Sequence, residues 1–124
     1  ENVTAIWRHD VDLSPQSALA LAKIEKQKGI EASYFFNLRS EFYNFMEPEI
    51  LTIVLSIRDM GHEVGVHLDA EQVDVSSAGS LEESLEREKI VFESVSGVKL
   101  KFFHFIILQL FLRQPPIEIP PMRD

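Results

Sequence analysis

One pattern constrains this chain more than any other: short β-branched or aromatic runs alternate with longer stretches of helical spacing, each stopping at a glycine. Val3 to His9 reads as a first strand entered almost at once, so the chain is expected to begin mid-domain. Ser14 suits an N-cap and Pro15 a first helical position. The Ala-, Leu- and Lys-rich stretch that follows ends at Gly29. Ile30 to Phe36 is a second strand, and Asn37 to Met46 a polar and aromatic loop. Pro48 then opens a helix with Ile50, Ile53, Val54 and Ile57 on one face, closed by Gly61. His62 to His67 is a third strand. A third helix starts near Ser80, with Leu81, Leu85, Phe92 and Val95 on one side, and Gly97 ends it. Val98 to Phe105 would be a fourth strand. The order βαβαβαβ predicts an α/β fold with parallel strands and right-handed crossovers, as an open sheet or part of a β/α barrel. In either architecture a site is expected where the strands end at their C-terminal edge.

Charge narrows the partners. The 124 residues carry a formal charge of −8, which removes the attraction that binding nucleic acid or an anionic membrane needs. The acid is unevenly placed: residues 1–98 hold 18 acidic and 8 basic side chains, residues 99–124 hold 2 and 4. Residues 102–124 therefore form a separate segment, apolar from Phe102 to Leu112 and then proline-rich. Eleven residues, nine of them apolar, are too short for a bilayer span, which takes about 20 in a helix. Left exposed, they would drive self-association. Glu1-Asn2-Val3 does not read as a signal peptide, so the cytoplasm is the expected default location. With no cysteine there is neither a disulfide framework nor a thiolate metal site.

The strand ends gather the chemistry. The first ends in Arg8-His9-Asp10-Val11-Asp12, the third in His67-Leu68-Asp69, and the fourth near His104. Carboxylates and imidazoles converging there suit a Zn²⁺-, Mn²⁺- or Fe²⁺-like ion. Strand alternation puts Arg8, Asp10 and Asp12 on one face and His9 on the other, and it separates His62 from His67. Taken singly, each residue has a structural explanation. An aspartate before a helix caps it, His62 beside Gly61 belongs to a strand start, and His104 packs in an aromatic run. Tyr34-Phe35-Phe36 is core, and Glu82, Glu83, Glu86 and Glu88 are a solvated helix face.

The combination is more specific. The stretch WRHDVDLSPQSALALAKIEKQKGIEASYFF, a loop containing SEFYN, and then MGHEVGVHLD resemble the polysaccharide deacetylase superfamily, in its RHDVD-type subgroup. The likeness covers residues 4–69 well and 70–101 loosely. It implies a partial deacetylase-like domain over 1–101, folded as a distorted, incomplete β/α barrel. It also implies a metal-dependent hydrolase that removes N-acetyl groups from amino sugars, cleaving a non-peptide C–N bond. Zn²⁺ is the metal implied, with Co²⁺, Mn²⁺ or Fe²⁺ as alternatives. By resemblance Asp10 is the general base and Asp12 a metal ligand, or the reverse, and His67 is a ligand. The family's second metal histidine falls on Glu71 here, so Glu71 or Asp69 would ligate instead, and His104 is a further ligand or acid. Arg8, Tyr43 and Asn44 are candidates for substrate contact. The family's domain is usually longer than this chain, so truncation is expected, and the alternative function is an inert or sugar-binding relative. A nucleotide-binding domain is disfavoured because HDVDLSP carries no glycine-rich loop.

Overall fold

The computed structural model describes residues 7–68 and 76–100. They form β1 (Trp7–Val11), α1 (Pro15–Gln27), β2 (Ala32–Phe36), α2 (Pro48–Asp59), β3 (Glu63–Val66) and α3 (Ala78–Ser96). The fold class is α/β, with three parallel strands and three helices. Strand order is β1-β2-β3, in the register His9 opposite Tyr34 opposite Val64 and Val11 opposite Phe36 opposite Val66. Right-handed crossovers between consecutive parallel neighbours carry the helices over one face of a sheet, and α1 and α2 do pack on each other.

The helix boundaries follow local chemistry. Ser14 is extended and its Oγ accepts from the Ser17 N–H at 3.1 Å, with Pro15 leading the helix. Gly29, at φ 72°, lets α1 turn straight into β2, a left-handed conformation that a side chain would strain. Gly97 ends α3 in the same way at φ 76°. That helix opens slightly before Ser80, because Ser77 Oγ accepts from the Ser80 N–H at 3.0 Å.

The apolar stripe Ile50, Ile53, Val54 and Ile57 is the buried face of α2. Leu81, Leu85 and Phe92 are buried on α3, and Val95 packs partly against the core. Phe45 joins two layers from within its loop. Its ring lies 6.3 Å from Phe36 of β2 and 5.4 Å from Phe92 of α3.

Three expectations need correction. The first strand runs on through Asp10 and Val11 instead of stopping at His9, because its ladder with β2 continues to Val11 opposite Phe36. Val98 to Leu100 carry no strand, and the rest of the expected fourth strand lies outside the described residues. Glu88 is not on a solvated face. It is 6% exposed and takes Arg39 Nε and Nη2 at 3.0 and 2.6 Å, while Glu82, Glu83 and Glu86 are exposed as expected. The period that buries Leu81, Leu85 and Phe92 also passes through residue 88, so the glutamate there is buried with a partner. Residues 102–124, with the segment expected to self-associate, lie outside the described residues. Among the described residues no helix is long and apolar enough to cross a membrane.

Candidate metal centre

The C-terminal ends of β1 and β3 bring three ligand-type side chains together across β2. Asp10 is the penultimate residue of β1, Asp12 follows its last residue, and His67 follows the last residue of β3. The His67 N–H donates to the Phe36 carbonyl at 2.8 Å, so the ladder continues one step past β3 and fixes where the imidazole starts. His67 Nδ1 lies 2.5 Å from Asp12 Oδ1, and its Nε2 lies 3.7 Å from Asp10 Oδ2. One ligand atom from each of Asp10, Asp12 and His67 falls within 4.8 Å of the other two, and this group can hold a metal ion.

Arg8 adjoins it. Its Nε and Nη2 donate to Asp10 Oδ1 and Oδ2 at 2.9 and 3.0 Å, and its guanidinium lies 5.5 Å over the Phe35 ring. The i, i+2 spacing of a strand makes this fork available, since Arg8 and Asp10 share a face. The fork is thus engaged within the chain, on Asp10. It balances one of two converging carboxylates and leaves one negative charge to attract a cation. Two oxygen donors and one imidazole suit Zn²⁺, Co²⁺, Mn²⁺ or Fe²⁺, so the residues fit such an ion. Asp69, Glu71 and His104 lie outside the described residues.

The loop after β2 leans on the same strand end. Tyr43 Oη donates to the Val11 carbonyl at 2.5 Å and accepts from the Asn37 N–H at 2.8 Å. Ser40 Oγ donates to the Asp12 carbonyl at 3.0 Å. Asn44 Oδ1 accepts from the Met46 N–H at 3.0 Å, which shapes the turn into α2. Tyr43 and Asn44 also line a shallow depression of about 390 Å³ with Leu38, Ser40, Glu41 and Phe42.

Burial, and then the nearby Asp12 charge, push the Tyr43 hydroxyl up to about 12, against the lowering effect of its bond from Asn37. Tyr34 is raised further by burial and by its bond to Glu25. A folded-state pKa above the unfolded value of 10.0 gives stability that is complete below pH 10 and is lost as pH rises through about 12. The chain has two tyrosines, so phenolate absorbance during an alkaline titration reports these alone. Little phenolate is expected at pH 10, where a free tyrosine is half ionised. Ordinary ionisation of both at pH 10 would mean that the Tyr43 latch does not persist in solution.

On the opposite face of β1, His9 does point away, as the alternation requires. Its Nε2 meets Glu25 Oε2 at 2.8 Å, and Tyr34 Oη donates to Glu25 Oε1. His62 stands edge-on to Tyr34, accepts from the Ala32 N–H through Nδ1 at 3.1 Å and meets the Ala22 carbonyl through Nε2 at 3.0 Å. His62 is therefore a buried joint between α1, β2 and β3, apart from the metal group, in agreement with its expected structural role. Sequence reasoning did not single out Glu25. Its signal was there, because it continues the buried Ala18 and Ala22 positions of α1.

No known protein family, curated protein or solved structure matches this chain.

Proposed function

We propose that the chain is a metal-dependent hydrolase of the polysaccharide deacetylase type, removing N-acetyl groups from amino sugars on part of a distorted β/α barrel. The observation that carries the proposal is the meeting of Asp10 and Asp12 of the RHDVD run with His67 of GHEVGVH. Asp12 and His67 are 55 residues apart in sequence and in hydrogen-bond contact at the strand ends. Those are the positions the resemblance marks as base and ligands. Parallel strands with the group at their C-terminal edge are the placement expected of a β/α barrel enzyme.

Zn²⁺ is the proposed ion, held by His67 and one of the two carboxylates Asp10 and Asp12. When bound, a divalent cation lowers the pKa of its water and polarises an amide carbonyl. The chain's own groups supply the rest. The other of the two carboxylates offers an acceptor for the proton released as the carbonyl is attacked, and Arg8 keeps Asp10 in one orientation. The depression beside Ser40, Tyr43 and Asn44 is the proposed resting place for the sugar. Acetate release from N-acetylglucosamine oligomers, with added Zn²⁺ or Co²⁺ and with chelator as control, tests the reading. Metal-dependent acetate is expected. Oligomer binding without acetate would replace the enzyme by an inert sugar-binding relative.

A further inference from the structure

From the two ring nitrogens of His67 we infer a division of labour between the aspartates: His67 takes the ion through Nε2 together with Asp10, while Asp12 holds the imidazole in place through Nδ1. The inference rests on the proposed metal reading and deepens it. It moves the ligand role from Asp12, where the resemblance puts it first, to Asp10, and gives Asp12 a positioning role.

The distances separate the two sides of the ring. Two donors bound to one ion at about 2.1 Å each lie about 3.0 Å apart at a right angle and about 3.4 Å apart at the tetrahedral angle. Asp12 Oδ1 is 2.5 Å from Nδ1, too close for an ion between them and suited to a charge-assisted hydrogen bond. Asp10 Oδ2 is 3.7 Å from Nε2, within a few tenths of an ångström of the separation that shared coordination needs. An imidazole that donates through one nitrogen to a carboxylate binds metal through the other, and the carboxylate sets the ring's tautomer and orientation.

The surroundings agree. His67 is 9% exposed, so its ring is confined, and an orienting partner at Nδ1 decides which nitrogen is presented. Asp10 is fixed by the Arg8 fork, which itself rests on the Phe35 ring. A ligand held in one rotamer before the ion arrives loses less freedom on binding. Asp12 sits one residue beyond the strand, with a side chain 40% exposed, and its carbonyl is tied to Ser40. The strand residue is the rigid ligand, and the residue after the strand is the positioning residue.

Zn²⁺ and Co²⁺ titrations of the wild-type chain, Asp10→Asn and Asp12→Asn test this, with circular dichroism to check folding. Asp10→Asn is expected to weaken binding by more than about 100-fold and to change the Co²⁺ absorption envelope. Asp12→Asn should cost about 10- to 100-fold and keep that envelope, as loss of an outer-shell partner does. Should either variant fail to fold, two-bond ¹H–¹⁵N spectra of the wild-type imidazole with Zn²⁺ decide, since they show which nitrogen is metallated. Zn²⁺ on Nε2 with Nδ1 protonated supports the inference. Zn²⁺ on Nδ1, or a greater loss in Asp12→Asn than in Asp10→Asn, overturns it while leaving a metalloprotein. A wild-type chain that binds neither ion overturns both the inference and the metal reading. Metal bound as inferred, without acetate release, overturns only the deacetylase reading.

Discussion

His67→Ala is expected to abolish tight Zn²⁺ binding, and metal-dependent acetate release should fall by about 10³-fold or more. The size follows from geometry. His67 is the only member of the group contributed by β3, and it lies between two β1 carboxylates at 2.5 and 3.7 Å. Without it Asp10 and Asp12 are one strand's carboxylates, with no nitrogen donor near them in the group. Metal catalysis contributes several kcal/mol of transition-state stabilisation, and each 1.36 kcal/mol is tenfold in rate. Thermal unfolding provides a reading independent of catalysis. An ion that binds only the folded state adds about 2.7 kcal/mol at a hundred times its Kd. Zn²⁺ should therefore raise the wild-type Tm and leave that of His67→Ala unmoved. An equal rise in both would place the ion elsewhere and remove the basis of the proposed function.

The second large effect is structural. Glu25→Ala is expected to cost about 3 kcal/mol of folding free energy, in the range seen when one partner of a buried charged network is removed. Glu25 is 4% exposed and receives both Tyr34 and His9, so the alanine leaves two polar groups without their acceptor and a void beneath the sheet. Glu25→Gln fills the space and keeps one acceptor, so urea denaturation should show a smaller loss, about 1–2 kcal/mol.

The network also sets an acid limit. Burial raises the Glu25 pKa, but the bonds from Tyr34 and His9, with the charges of His9 and His62, outweigh it and bring the net value below 4.5. A depressed folded-state pKa gives stability that is present above 4.5 and lost as pH falls through the lower folded value. The wild-type chain should lose stability in that acid window more steeply than Glu25→Gln. Parallel curves, or an alanine variant as stable as the wild type, would show that the network does not hold α1 to the sheet.

Much of this fold was readable because its signals are local. The Ser14–Pro15 helix start, the glycine stops and the α2 stripe each depend on residues within a turn or two of one another, and all three are in place. Alternation along β1 is equally local, and it separates His9 from Arg8, Asp10 and Asp12 in the sequence itself. What the sequence hid was pairing across distance. Arg39 and Glu88 meet over 49 positions, and Glu25 meets His9 over 16. A buried glutamate looks like a solvated one until its partner is known. Tyr34 shows the same limit. Its ring was legible as core, but its hydroxyl, which ties β2 to α1, was not. Arg8 and Tyr43 look like substrate contacts because their polar ends need partners, and the folded chain engages both ends internally.

The strand order β1-β2-β3 has a consequence for the time course of folding. The metal group draws on the two outer strands and none of its members comes from the middle one, so its halves stand two strand spacings apart, about 9–10 Å. A chain that has completed only β1, α1 and β2 owns both aspartates and still lacks the histidine. Ion capture by this group would therefore wait for the second crossover to close and for β3 to dock, which would make divalent-metal uptake a stopwatch for completion of the sheet. In a refolding experiment, metal uptake should lag behind burial of the α1 face and coincide with the ordering of β3.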